Sequence, residues 1–323
     1  MPESPFFSII IPNWNGARHL RTCLDALRRQ TYRAFEVILA DNDSSDESLL
    51  LVEREYPEVR ILRLPQNRGL TGACNAAVAL ARGDVLVMLN NDTEADAGWL
   101  AALADALARY PDAGAIASKL LLFDRRDTLH SAGDFYGADG IPGNRGVWQE
   151  DKGQHDGDIE VFGACGGAAA YRRAAWDEAG GFDEMLFMYC EDVDLAWRLH
   201  LLGWRTVFAP AARVYHRLSA TGGGPIASFY TGRNTIWVIL KDVPGPLLRR
   251  YGWRMLKAQV RIAWEALRAW RGAAARARLR GQLAALLGLP RVLRRRRAVQ
   301  ATRRVPVEKV ERVILPLLPR SAP

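Results

Sequence analysis

Cysteine is scarce and unpatterned: Cys23, Cys74, Cys165 and Cys190 are the only four in 323 residues, and no two stand at CxxC spacing. Thiols so few and scattered exclude a disulfide framework and a zinc module. Each sits among apolar or small neighbours and reads as a buried thiol, which fits a reducing cytoplasmic compartment. Long hydrophobic runs are missing too. No stretch reaches the ~18 uncharged apolar residues that a membrane-crossing helix needs. The opening "MPESPFFSIIIPNWNG" lacks the basic start and the apolar length of a secretory leader. No GKS or GKT follows a glycine loop, which excludes a P-loop. Acidic residues all but vanish towards the end. From Pro244 onward 20 Lys and Arg face 3 Asp and Glu, a balance of +17, while the residues before it hold 24 against 33, a balance of −9. By charge, the chain divides into an acidic-leaning body at 1–243 and a basic extension at 244–323.

The body alternates. "FFSIIIPNW" (6–14), "AFEVILADN" (34–42), "VRILRLP" (59–65), "DVLVMLNND" (84–92) and "AGAIASKLLL" (113–122) are short apolar runs that read as strands. Between them, "ARHLRTCLDALRRQ" (17–30), "DESLLLVEREY" (46–56), "GACNAAVALARG" (72–83) and "AGWLAALADALARY" (97–110) read as helices. Strands alternating with such helices predict βαβ units and a mostly parallel sheet. Ligands bind such sheets beyond the carboxyl ends of the strands. Those ends are all polar here: Asn13–Gly16, Asp41–Asp46, Gln66–Gly69 and Asn90–Asp92. Residues 124–160, rich in Gly and Asp, read as an irregular segment of the kind that forms binding loops or lids. A strand and helix follow at 159–184, a helix in the second part of 185–204, and strand, turn, strand at 205–216.

Each polar motif has a plain reading beside a chemical one. "LNNDT" (89–93) is either a turn, which Asn and Asp suit, or a carboxylate placed at a strand end to hold a cation and a diphosphate. "EDVDLAWR" (191–198) puts acids in a helix first turn, where they cap, and pairs Asp194 with Arg198 at i,i+4. Yet "FGACGGA" upstream leaves room for a ligand and "LFMY" sets apolar bulk beside the carboxylates. An acid desolvated there would be raised in pKa and suited to general-base work. "ADNDSSD" (40–46) is an Asx turn with a helix cap, or a ligand site through Asp41. "QNRGLTGACN" (66–75) opens a helix whose free N–H groups attract phosphate. His216, closing "RVYH", is a core or surface residue or a metal ligand.

In order, "SIIIPNWNG", "ILADNDSSD", "NRGLTGACN", "VLVMLNNDT", the long segment "GACGGAAAYRRAAWDEAGGFDEMLFMYCEDVDLAWRLHLLGWR", and "ARVYH" with "YTGRN" resemble the motifs of family 2 glycosyltransferases. The likeness spans about residues 5–240 and is strongest to bacterial rhamnosyltransferase-like members that build surface polysaccharides. It implies a GT-A fold, an α/β Rossmann-like sheet with flanking helices. It also implies an inverting enzyme that moves a sugar, L-rhamnose from dTDP-rhamnose in that subgroup, from a nucleotide-diphosphate donor to a hydroxyl of a lipid-linked or oligosaccharide acceptor. Position by position, Asp192 becomes the base and Glu191 its support. Pro12, Asn13 and Asn15 line the nucleotide cleft, Asp41 meets the nucleobase, and Asn67 and Gly69 lie near ribose or phosphate. Asn90 and Asn91 belong to the donor side, and Arg233 and Asn234 lie near the phosphates or a closing loop. Asp92 and His216 approach a Mg2+ or Mn2+ ion. Asn90 stands where many members carry Asp, which weakens the first ligand and favours water-mediated metal contact. The QxxRW of processive relatives is absent, which favours addition of one or a few sugars. The alternative is a non-catalytic sugar-nucleotide-binding or membrane-scaffold protein on the same fold: Asn90 leans that way, and the intact Glu191–Asp192 pair leans against it more strongly.

In the extension, Trp253, Trp264 and Trp270 stand among Arg and Lys. That composition is a solvated basic appendage or, as lipid-linked acceptors favour, an amphipathic element at an anionic membrane surface. It places the protein in the cytoplasm, held peripherally at the inner face of the plasma membrane. No nucleic-acid-binding fold accompanies the charge, so no nucleic acid is expected.

Overall fold

The computed structural model describes residues 5–218 and 223–315. Strands β1 (Phe7–Asn13), β2 (Phe35–Asp41), β3 (Arg60–Arg63) and β4 (Val85–Leu89) alternate with helices α1 (Ala17–Arg28), α2 (Ser48–Glu55) and α3 (Gly69–Val78). The chain continues through β5 (Thr93–Ala95), α4 (Trp99–Arg109), β6 (Ala113–Leu122), β7 (Leu129–Ser131), β8 (Asp134–Gly137), β9 (Pro142–Asn144) and β10 (Glu160–Val161). β11 (Ala168–Arg172), α5 (Arg173–Ala179), α6 (Glu191–Leu202), β12 (Arg205–His216) and α7 (Gly224–Asp242) complete the body. Then come α8 (Gly245–Arg268), α9 (Ala273–Leu287), α10 (Leu289–Ala301), α11 (Val307–Glu311) and β13 (Ile314–Leu315).

Among the described residues the main sheet has ten strands, with β10-β12-β6-β11-β4-β1-β2-β3 in order and β5 and β7 paired to β12 and β6. β3, β2, β1 and β4 run parallel, and β11 enters antiparallel between β4 and β6. β8, β9 and β13 form a separate three-stranded sheet. The continuous apolar run of β1 follows from burial on both faces. Phe7, Ile9 and Ile11 pack with Leu20 and Leu24 of α1 and Trp99 and Leu103 of α4, whereas Ile10 packs with Ala73, Cys74 and Ala77 of α3.

Two local departures from the sequence pattern have simple causes. The strand expected at 84–92 ends at Leu89, because the chain turns at Asn90–Asp92 and only then, as β5, pairs antiparallel with the end of β12. The segment at 205–216 is one strand with an irregularity between Ala209 and Arg213, where Pro210 has no N–H to offer the ladder.

α7 ends at Asp242, and the hydrophobic core runs across the junction with the basic extension. Leu247, Met255, Val307 and Val310 share a core with Tyr136, Phe162 and Trp197. Arg296, within the "RRRR" run, donates to the carbonyls of Leu240 and Val243, and Gln300 to those of Lys241 and Asp242. These α10 side chains satisfy the orphan carbonyls at the end of α7. Among the described residues no helix is long and apolar enough to cross a membrane.

Candidate active site

The carboxyl ends of β1 to β4 open into one cavity of about 610 Å³, lined by Pro12, Asn13, Asn42, Asn67, Gly69, the Asn90–Asp92 turn, Glu191, Asp192 and His216. Amide side chains lock this rim together. Asn91 Nδ2 donates to Asn13 Oδ1 (2.7 Å), and Asn42 Nδ2 donates to Asn67 Oδ1 (3.0 Å) and to the Gly69 carbonyl (3.1 Å). Gly69 has φ +72°, and a Cβ there would collide with the Phe187 carbonyl, so the turn into α3 needs glycine.

Four expected donor residues do not line the cavity. Asp41 is 2% exposed and lies beneath Asn13, its register partner on the adjacent strand, accepting from Asn13 Nδ2 (3.1 Å) and the Ser44 N–H (3.1 Å). The next residue, Asn42, reaches the cavity instead. Asn15 holds the following turn, its Oδ1 accepting from the N–H groups of Ser45 and Asp46. Arg233 and Asn234 clamp the loop before α6. Arg233 donates to the carbonyls of Met185 and Leu186, and Asn234 to those of Leu186, Met188 and Tyr189. That loop is strained: Phe187, Tyr189 and Cys190 all have φ between 63° and 66°, a region costly for residues with a Cβ. The clamp holds it in place and so sets where α6 begins.

α6 begins at the two acids. Asp192 accepts from the backbone N–H groups of Gly166 (2.9 Å) and Val193 (2.8 Å). Burial pushes its carboxyl up, while these N–H groups favour the ionised form. Burial, then Asp192 beside it, pushes Glu191 up to about 8, which favours its protonated form. Among the described residues its buried Oε2 has no hydrogen-bond partner. Burial raises both acids, and only Asp192 has the Gly166 and Val193 N–H groups that favour its ionised form, the asymmetry that suits a base beside its neighbour. A Cβ on Gly166 would press on Glu191 Oε1 at 3.3 Å and on Asp192 Oδ2 at 3.4 Å; the glycines of "GACGG" keep this face open.

Two cavity residues gave no sequence signal. Asp134 and Asp192 each bring a carboxylate oxygen within 4.8 Å of the other and of Cys165 Sγ. Burial and then Asp192 push Asp134 well up, while Ser131 and Asn144 donate to it. His130 lies against His216, Nδ1 to Nδ1 at 3.1 Å, and burial, then His216, pushes it down to about 3, so it is neutral. Both stand in the Gly- and Asp-rich segment, which has no periodicity to reveal a face; it folds as β7, β8 and β9 against the cavity.

In the same cavity, His216 Nε2 is 3.1 Å from Asp92 Oδ1 and 3.4 Å from Asn90 Nδ2. Asp92 and His216 are 5% and 8% exposed. One carboxylate oxygen and one imidazole nitrogen, side by side at a cavity wall, suit a divalent cation that takes its other ligands from phosphate and water. Cavity, carboxylate–imidazole pair and paired acids are the parts that the sequence motifs require to meet.

The family model described as Glycosyl transferase family 2 matches residues 8–180. The chain belongs to that family. This family 2 glycosyltransferase is 29% identical over 269 residues to the N-acetylglucosaminyl-diphospho-decaprenol L-rhamnosyltransferase of Mycobacterium tuberculosis, a match covering 76% of this chain and 85% of the relative. It is 31% identical over 232 residues to the O-antigen biosynthesis protein RfbC of Myxococcus xanthus, covering 68% of this chain and 18% of that protein. The fold is GT-A. GalNAc-T7, solved with UDP, GalNAc and Mn2+, superposes with a TM-score of 0.61 at 19% identity, over 75% of this chain and 48% of that one.

Proposed function

We propose that this glycosyltransferase moves L-rhamnose from dTDP-rhamnose, with inversion, to a sugar hydroxyl of a lipid-linked acceptor in cell-surface polysaccharide synthesis. The observation that carries the reading is that Asp92, His216, Glu191 and Asp192 line a single cavity. The nucleotide lies along the Pro12–Asn13 and Asn67–Gly69 rim, at the N-terminus of α3, whose positive end favours phosphate. The acceptor hydroxyl attacks the anomeric carbon from the face away from the diphosphate, and Asp192 takes the proton as the new bond forms. Glu191, neutral, donates a hydrogen bond to the acceptor. Asp92 and His216 would hold a Mg2+ or Mn2+ ion, which offsets the charge gathering on the departing diphosphate. Positioning and electrostatics supply most of the rate. The rhamnosyltransferase relative supports the choice of sugar and acceptor. Thermal melting against dTDP-, UDP- and GDP-sugars, with and without Mn2+, tests the donor half. dTDP-rhamnose with Mn2+ should raise Tm most, since a ligand of the folded state stabilises it by mass action. A larger rise with another nucleotide would reassign the donor.

In this reading residues 1–243 are the transferase unit and 244–323 a membrane-seeking extension packed onto it, holding the cytoplasmic enzyme at an anionic surface. α8 supports it. Leu247, Met255 and Ala258 are buried, while Trp253, Leu256, Val260, Trp264 and Leu267, spaced by three and four residues, share an outer face and are 50–74% exposed. Arg250, Lys257, Arg261 and Arg268 border that stripe. Glu at both Trp253 and Trp264 should lower binding to phosphatidylglycerol-containing vesicles by roughly tenfold or more. Unchanged sedimentation of that variant with the vesicles would refute the membrane role.

A further inference from the structure

We propose that His130 is a positioning residue for the divalent cation, accepting the Nδ1–H of His216 so that the Nε2 lone pair of His216 faces Asp92. This rests on the metal site proposed above and adds a residue to it. The sheet brings the two rings together by a specific irregularity. β7 pairs antiparallel with β6, Leu120 opposite Ser131 and Leu121 opposite Leu129, which leaves His130 as the unpaired residue of a bulge. β6 also pairs with β12, Leu122 opposite His216. A bulge re-aims one side chain out of the alternation, and bulges gather beside active sites. Here it turns His130 onto the ring that ends β12: the centroids are 5.0 Å apart and the planes inclined by 37°.

The chemistry follows from the nitrogens. The two Nδ1 atoms are 3.1 Å apart, so one carries a proton and the other accepts it. If His130 donates, the remaining proton of a neutral His216 sits on Nε2, where it points at Asp92 Oδ1, 3.1 Å away, and no lone pair is left for a metal. If His216 donates, Nε2 is free and Asp92 beside it is unblocked. Cation binding therefore selects the tautomer in which His130 accepts, and the proton on His130 resides on its other nitrogen. A metal-bound His ordinarily needs such a partner on its second nitrogen.

The test is titration of each variant with Mn2+ alone, following loss of the free-ion EPR signal. His130→Phe keeps the ring but cannot accept, and should weaken Mn2+ affinity by ~10–100-fold. His130→Asn offers a carbonyl oxygen near the Nδ1 position and should stay within a few-fold of the parent. Metal-free melting of both variants separates loss of folding from loss of metal. Parental affinity in His130→Phe would overturn the proposal. So would an equal loss in both variants when both melt like the parent, since His130 would then be a direct ligand. Asp92→Asn and His216→Ala report on the underlying site: if neither weakens Mn2+, the metal reading fails and not merely the role of His130.

Discussion

Asp192→Asn is expected to lower kcat by ~10²–10⁴-fold while leaving donor affinity unchanged. The amide has the shape of the carboxylate but cannot take a proton from the acceptor hydroxyl. It still accepts one of the two N–H groups, of Gly166 and Val193, that fix the carboxylate, so the variant should fold. Asp192 is held by Gly166 and Val193, so the substitution leaves the donor rim of Pro12, Asn13, Asn67 and Gly69 in place and binding should survive. The parent's kcat/KM should fall as pH drops through the Asp192 pKa. That fall should begin above the ordinary Asp range, because burial raises this group. Glu191→Gln offers a contrast. Gln mimics the protonated form that Glu191 holds below about 8, so this variant should retain far more activity than Asp192→Asn. Single-turnover rates and donor titration by calorimetry check both. A near-parental rate in Asp192→Asn would show that the proton leaves by another route.

Lys241→Met should cost ~3–5 kcal/mol of folding stability, because it strips the cation from a buried acid cluster. Lys241 is 3% exposed and its Nζ pairs with Asp183 (2.5 Å) and with Asp194 of α6. Arg198 Nη2 completes the cluster at 2.6 Å from Asp194, whose carboxyl, despite burial, Arg198 and Lys241 hold well below the usual range. Burial and Asp194 push the neighbouring Asp242 carboxyl well up, which favours its neutral form. Removing Lys241 leaves Asp183 without its cation and Asp194, one turn into α6, with Arg198 alone. Urea unfolding measures the loss. Adding Asp183→Asn to Lys241→Met should recover part of it, as expected for groups in one network. A loss under about 1 kcal/mol would mean that water reaches the cluster and screens it.

That cluster shows what sequence reading reaches and where it stops. Asp194 and Arg198 are visible as an i,i+4 pair, but their burial depends on Lys241, forty-odd residues on, and no local pattern couples the two. The four strand tips were legible because a parallel sheet must place them together. Which residue of a tip faces the cavity was not: Asp41 and Asn42 exchange places because Asp41 bonds to Asn13 across the strands. Arg233 and Asn234 were found as a motif, but their contacts are to the backbone of a strained loop. His130 escaped notice because it owes its aim to a bulge, and Asp134 because its segment has no period. The extension shows its charge in the sequence; its inner apolar face becomes visible only once Tyr136 and Trp197 are seen to need a cover.

Turnover of dTDP-rhamnose labelled at the anomeric carbon, with a polyprenyl-diphosphate-linked N-acetylglucosamine as acceptor and Mn2+ present, tests the central claim most directly. NMR should show the label in a new glycosidic bond of inverted configuration, formed only when acceptor is present. A product of retained configuration, or donor that binds and is never transferred to this or any other hydroxyl acceptor, would contradict a cleft in which Asp192 serves as base for direct displacement.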